Sequence, residues 1–156
     1  MAAVKPIPDN SPRLTAYLAI DGAAEAIDFY TRVLGAHERM RMSEPGGKVG
    51  HAELEFGESV VMLSDAFPEM GVVDPRRLGG SPVTLSVYVE NVDATFRDAI
   101  AAGAKELQPV EDKFYGDRAG QFEDPWGHRW NVMSHIEDLS DEEVERRAAA
   151  YMANEG

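Results

Sequence analysis

The sequence predicts an α+β fold of two tandem βαβββ modules, and an internal repeat is the main reason. Segment 14–21 matches segment 83–90 in its apolar and polar pattern, about 69 residues further along the chain. Each segment precedes an alanine-rich stretch that ends at a Gly-Ala pair, Gly35-Ala36 or Gly103-Ala104. A duplication of this size predicts curved mixed sheets around a cup-shaped cavity, with the function where the two halves meet.

The first module is predicted to cover residues 13–65. Alternating apolar residues predict a strand over 14–20, whose apolar side, including Leu14, packs under a helix. Apolar residues at helical spacing form a stripe that predicts this helix. The helix is expected to end at Gly35, because glycine suits a left-handed C-terminal position. The stripe consists of Ala23, Ala26, Ile27, Tyr30, Val33 and Leu34. Three further strands are expected at 38–43, 49–56 and 59–64, separated by glycine-containing turns.

A linker is predicted over 66–81, because prolines and glycines interrupt it without any periodicity. The second module, 82–136, repeats the first with strands at 83–90, 105–110, 119–124 and 128–135, a helix at 92–102 and a loop at 112–118. Residues 137–156 form an acidic C-terminal helix and tail. The helix begins at the capping box of Ser140 and Glu143 and runs to about Tyr151.

Composition excludes several classes of protein. The 156 residues carry a formal net charge of −13, which opposes binding to nucleic acid and to anionic membranes. The sequence contains no cysteine, so disulfides, thiolate nucleophiles and cysteine-based metal sites are excluded. Residues 1–12 hold three prolines and no apolar core, which predicts a flexible arm and not a signal peptide. A cytoplasmic location is expected.

Two motifs resemble the vicinal oxygen chelate superfamily, which includes glyoxalase I, bleomycin-resistance proteins and extradiol dioxygenases. The first is Phe29-Tyr30-Thr31-Arg32-Val33-Leu34-Gly35, and the second is Asp124-Pro125-Trp126-Gly127. The resemblance covers about 13–136 and is greatest to a glyoxalase-like branch. It implies a cup lined by four His, Gln or Glu ligands to a divalent metal, and homodimers are common among its members.

The metal positions implied by the resemblance hold unsuitable residues in this sequence. They are Thr15, Met62, Thr84 and Asn131, and none is a competent ligand for the expected divalent ion. The sequence therefore predicts that the fold is retained without the usual metal centre. A relocated divalent metal site at His51, Glu53 and His135 is the alternative, because His51 and Glu53 share one face of a strand.

Strand alternation predicts the residues that line the cup instead. Tyr17, Ser86, Tyr88, Arg129 and Met133 share a face with the four former metal positions. Tyr115 and Arg118 are expected on the 112–118 loop above the cup, where they could bind an anionic or carbonyl group of a ligand. Such a mixed pocket suits a partly aromatic molecule, with Arg129 as a charge partner. These side chains could also simply fill a small closed core.

Three functions remain open from the sequence. The first is metal-free binding of a small aromatic or amphipathic molecule, in the manner of bleomycin-type resistance proteins, with no cofactor. The second is a metal-dependent lyase or dioxygenase that uses the relocated ligand set. The third is a metal-free lyase or isomerase with Tyr17, Tyr88 or His135 as acid or base. A homodimer is expected in each case.

Overall fold

Helices and strands follow the predicted order in a computed structural model that describes residues 3–155. Residues 1 and 2 of the predicted arm and residue 156 of the predicted tail lie outside the described residues. The chain divides into two units between Asp74 and Pro75, inside the predicted linker. Each unit contains a four-stranded mixed sheet, in the order β1-β4-β3-β2 or β5-β8-β7-β6. The predicted α+β fold with two tandem βαβββ modules is confirmed.

The first unit contains β1 to β4 and helix α1, followed by a 3-10 turn. Its elements are β1 Ala16–Ile20, α1 Ala23–Leu34, β2 His37–Ser43, β3 Val49–Phe56, β4 Ser59–Asp65 and the turn Pro68–Met70. β1 pairs in parallel with β4, and the other neighbours are antiparallel. Tyr30, Leu54 and Leu63 are fully buried between α1 and the sheet.

The second unit repeats this arrangement and adds a helix at each end. Its elements are α2 Pro75–Leu78, β5 Thr84–Tyr88, α3 Val92–Ala101, β6 Lys105–Asp112, β7 Asp117–Glu123, β8 Arg129–His135 and α4 Asp141–Asn154. Phe96 of α3 contacts the buried Phe122 of β7 edge-on, with ring centroids 6.1 Å apart. Within the described residues, no helix is long and apolar enough to cross a membrane.

Several predicted boundaries were wrong. Leu14 and Val83 do not pack under the helices but are 91% and 57% exposed, because strand pairing begins only at Ala16 and Thr84. The predicted loop at 112–118 is a short turn between Asp112, which ends β6, and Asp117, which begins β7. The predicted linker contains the 3-10 turn and α2, since prolines fit the first turn of a helix.

The Asp-Pro-Trp-Gly turn has a clear physical role between β7 and β8. The Asp124 carboxylate accepts hydrogen bonds from the backbone N–H groups of Trp126 and His128, both at 3.0 Å. It also accepts one at 3.0 Å from Nε1 of Trp130, which is buried on the helix side of the sheet. One carboxylate therefore fixes both the turn and the largest core side chain.

Candidate functional site

The open face of the second sheet gathers most of the residues that strand alternation predicted. The parallel register pairs Thr84 with Arg129, Ser86 with Asn131, and Tyr88 with Met133. Since directly paired residues point to the same side of a sheet, all six share one face. That face lies opposite α3, which packs on the side occupied by Phe122 and Trp130.

A groove with a volume of about 570 Å³ lies in the second unit. Three aromatic side chains line it: Phe114 and Tyr115 in the β6–β7 turn, and Tyr151 on α4. Phe114 contacts Tyr115 edge-on and lies beside Tyr151, with ring centroids 5.3 Å and 5.2 Å apart. The three rings form an aromatic wall, which we name the aromatic cluster.

Arg147 holds α4 against this turn. Its guanidinium forms an ion pair with Glu137 at 2.7 Å and another with Glu143 at 2.9 Å. Nη1 of Arg147 also donates to the Phe114 carbonyl at 3.5 Å. Arg147 lowers the pKa of Glu137, and Arg146 first and then Arg147 lower the pKa of Glu143 to about 2. The helix that supplies Tyr151 is thus tied to the turn that supplies Phe114.

Three side-chain amides line the groove beside the aromatic cluster: Gln108, Gln121 and Asn131. They belong to β6, β7 and β8, and the register pairs Gln108 with Gln121 and Gln121 with Asn131. We name them the amide row. Asn131 Nδ2 donates to Ser86 Oγ at 3.4 Å, which extends the polar row onto β5. Sequence reasoning placed Asn131 and Ser86 on this face but did not include the two glutamines.

The charged groups that line the groove are paired within the protein. Lys113 forms an ion pair with Glu111 at 2.6 Å, and Asp112 forms one with Arg118 at 2.9 Å. The groove therefore combines aromatic surface, neutral amides and internally neutralised charges. Such a lining suits an organic molecule better than an inorganic ion.

Arg118 lies in β7, on the side of the sheet opposite the open face. It pairs with Ser134, whereas Tyr88, Asn131 and Met133 occupy the open face. Its guanidinium binds both carboxylate oxygens of Asp93 at 2.9 Å, at the N-terminus of α3. Asp93 and Asp112 together raise its pKa. The expectation that Arg118 lies on a loop above the cup was wrong, because β7 begins at Asp117, two residues before the predicted start of the strand.

Tyr88, Asp117 and His135 form a hydrogen-bonded cluster at one end of the open face. Asp117, only 5% exposed, accepts from the Tyr88 hydroxyl at 2.8 Å and lies 2.9 Å from Nδ1 of His135. Nε2 of His135 lies 2.8 Å from Asp138. The hydrogen bond to Asp117 raises the pKa of Tyr88, and Asp117 and then Asp138 raise that of His135. Both shifts favour the protonated form of the group concerned.

Arg129 lies on the same face as the amide row but does not line the groove. Its Nε is buried and has no hydrogen-bond partner among the described residues. The register places Thr84 on one side of it and Glu123 on the other. Arg129 is thus a partly buried cation next to a carboxylate, two residues along β8 from Asn131.

The first unit carries the other predicted residues: Thr15, Tyr17, Met62, His51 and Glu53. Thr15 was expected within the first strand but lies just before β1, which begins at Ala16. Tyr17 pairs with Met62, and its hydroxyl lies 2.9 Å from Nδ1 of His51. His51 Nε2 lies 3.3 Å from Glu53, whose other oxygen accepts from Arg39 at 2.6 Å. Arg39 first, and then His51, lower the pKa of Glu53. These polar groups therefore satisfy one another.

The residues present do not fit a metal ion. The positions implied by the superfamily hold Thr15, Met62, Thr84 and Asn131, a set without carboxylate or imidazole. In the relocated set, both ring nitrogens of His51 and of His135 already bind protein groups, and Glu53 is neutralised by Arg39. Across residues 3–155, no three His, Asp or Glu side chains are grouped as metal ligands.

Comparison with known families decides the identity of the fold. The model of the Glyoxalase/Bleomycin resistance protein/Dioxygenase superfamily matches residues 14–132. The chain belongs to this superfamily. The chain is also 38% identical over 148 residues to the uncharacterised protein Mb0911c of Mycobacterium bovis. The matched region covers 93% of this chain and 95% of that protein.

Solved structures with a similar fold are also found. The structure of TioX from Micromonospora sp. ML1 is 27% identical, covers 83% of this chain and 100% of its own, and superposes with a TM-score of 0.61. Protein PA1353 from Pseudomonas aeruginosa is 24% identical, covers 81% of this chain and 100% of its own, and gives a TM-score of 0.65. The latter likeness concerns the fold alone.

Two kinds of groove residue were missed by sequence reasoning. Gln121 could have been found by counting across the hairpin from Asn131, since the Asp124–Gly127 turn fixes which residues face each other. Phe114 and Tyr151 meet only because α4 packs against the β6–β7 turn. No periodic signal in the sequence indicates where that helix docks.

Proposed function

We propose that the protein binds a small aromatic or amphipathic organic molecule in the groove of the second module. One observation carries this proposal: the aromatic cluster and the amide row line the same groove of about 570 Å³. This volume lies in the usual range of ligand pockets, about 300–1,000 Å³. Aromatic walls supply apolar contact area, and a few polar groups fix the orientation of the ligand.

A second groove, in the first unit, supports binding less well. Its volume of about 720 Å³ is larger, but polar and charged residues such as Asp9, Arg39 and Glu58 dominate its lining, and no aromatic side chain contributes. Arg39 is also already paired with Glu53 and Glu55. The chemistry of the lining, and not the volume, favours the groove in the second module.

The donor set supports binding without a metal. Threonine, methionine and asparagine at the superfamily positions are weak ligands for a hard divalent ion. The hydrogen-bonded state of His51 and His135 adds a cost to any relocated site, because a metal would have to displace existing partners. The proposed ligand is therefore held by stacking and hydrogen bonds from the protein.

A titration with 2-naphthol, followed by amide chemical shifts, tests the proposal. We expect saturable shifts centred on the β6–β7 turn, β7 and the part of α4 around Tyr151. Tyr151→Ala should weaken binding about tenfold, because one stacking wall is lost. Tyr151→Phe keeps the ring and should bind as the wild type does, and Tyr17→Ala in the first module should have no effect. Saturable shifts that centre elsewhere in the protein would refute the proposal.

A further inference from the structure

We infer that the groove selects a neutral, planar heteroaromatic molecule that carries a hydrogen-bond donor and acceptor on one edge, as a cyclic amide does. This inference rests on the proposed function and specifies the class of ligand. Gln108, Gln121 and Asn131 would bind the edge of such a molecule, and the aromatic cluster would contact its faces.

Strand register and strand spacing place the three side-chain amides in one row, so that they can contact the same ligand. The three side chains project from three adjacent strands at paired positions. Adjacent strands lie about 4.8 Å apart, so the row spans about 10 Å, close to the length of a two-ring molecule. The β6–β7 ladder is irregular on both sides of Gln108. Such irregularities commonly redirect a side chain.

The amide row has unused hydrogen-bonding capacity. Among the described residues, the side chains of Gln108 and Gln121 make no hydrogen bond with the protein, and Asn131 makes only the 3.4 Å contact with Ser86. Gln121 and Asn131 are half-buried. Each side-chain amide offers both donors and acceptors. A ligand edge with one of each can therefore be matched, and a purely apolar edge would leave these groups without partners.

The charges around the groove favour a neutral ligand over an anion. Lys113, which lines the groove, is paired with Glu111, and Arg118 is paired with Asp93 and Asp112. Arg129, the cation with the free Nε, lies outside the lining and directly across from Glu123. The chain as a whole carries a formal net charge of −13. No unpaired cation among the described lining residues is available to an anionic group.

Three two-ring probes test the inference by isothermal titration calorimetry. Quinolin-2(1H)-one presents a neutral amide edge, its 1-methyl derivative lacks the donor, and 2-naphthoate presents a charge. We expect quinolin-2(1H)-one to bind about tenfold more tightly than the methyl derivative, and 2-naphthoate to bind most weakly. Gln121→Met should remove the difference between the first two probes without weakening the methyl derivative. Amide chemical shifts like those of the wild type, apart from residues next to the substitution, verify that this variant folds.

Each other outcome overturns a specific claim. Equal affinity for quinolin-2(1H)-one and its methyl derivative would overturn the inference and leave the proposed function intact. Tightest binding of 2-naphthoate, lost in Arg129→Gln, would also overturn it and make Arg129 the charge partner. If none of the three probes, and not 2-naphthol either, gave saturable binding, the proposed function itself would fail.

Discussion

Tyr17 and Glu53 of the first module occupy the positions that Ser86 and Gln121 occupy in the second. In both sheets these residues flank the central strand, next to Met62 in the first and Asn131 in the second. In the first module the polar groups are paired, through His51 and Arg39. In the second, the glutamine has no protein partner among the described residues, and the asparagine has one long contact.

This difference separates what the duplicated scaffold requires from what a ligand site requires. Paired groups lower the free energy of the fold but leave little capacity for a ligand. Unpaired amides next to exposed rings keep that capacity in one module only. The two modules thus share strand order and register but differ in one face of the sheet. In the first module the polar side chains of that face bind one another, whereas in the second the amides remain available to a ligand.

A second contrast between the modules concerns the start of each helix. It predicts the largest change in the free energy of unfolding. Asp65 ends β4 and accepts from the backbone N–H groups of Gly22, Ala23 and Val49 at 3.2, 3.1 and 2.6 Å. Asp65→Ala should cost about 4 kcal/mol, because three donors, two of them buried, lose their partner. Urea unfolding measures the change.

Ser134 is the equivalent residue of the second module and serves as the matched control. Its hydroxyl accepts from Val92 N–H at 3.0 Å and donates to the Val89 carbonyl at 2.6 Å. Ser134→Ala should cost only about 1 kcal/mol, the usual value for a helix cap. Equal losses in the two variants would mean that the buried carboxylate contributes no more than a hydroxyl.

Substitutions in the turns that join the second and third strands of each module should cause an intermediate loss of stability. Gly47 and Gly116 occupy equivalent positions, with φ of 89° and 98°. A Cβ on Gly47 meets nothing within 4 Å, whereas one on Gly116 would lie 2.5 Å from the Glu137 carbonyl oxygen. Gly116→Ala should therefore cost about 3 kcal/mol and Gly47→Ala about 1 kcal/mol, which is the backbone strain alone. A similar loss in both variants would show that the chain around Glu137 moves freely.

The smallest expected change in stability comes from His135, and it depends on pH. Asp117 and Asp138 raise its pKa above the ordinary 6.5, and Tyr88 donates to the same Asp117 carboxylate. The stabilisation should be fully present below about pH 6.5 and should fade as the pH rises through the folded-state value. The melting temperature of the wild type should thus exceed that of His135→Gln at pH 5.5 by more than at pH 9.

Proton NMR of the imidazole checks the cause. The pKa of His135 should lie above 6.5 in the wild type and fall toward it in Asp117→Asn, because the hydrogen bond that raises the pKa most is weakened. A value at or below 6.5 in the wild type would contradict the role of the two carboxylates.

Much of the fold could be predicted from local patterns. The stripe from Ala23 to Leu34 located α1, and most strands were placed within two residues. The repeat aligned Tyr17 with Ser86 and Met62 with Asn131, which the register reproduces. The predictions were wrong where pairing decides a boundary. Leu14 continues the apolar alternation, but it finds no neighbouring strand and stays exposed.

The sequence by itself determined the duplicated architecture, because periodicity and turn residues are local properties, and its motifs resembled those of the superfamily. At the metal positions that this resemblance implies, side-chain chemistry alone showed that the residues are unsuitable ligands. Tertiary structure alone decided that Arg118 faces α3, that Asp117 joins Tyr88 to His135, and that Phe114 meets Tyr151. Each of these contacts joins residues from separate elements. Their proximity depends on strand register and helix docking, which are set by the packing of the whole module and not by any segment of the chain.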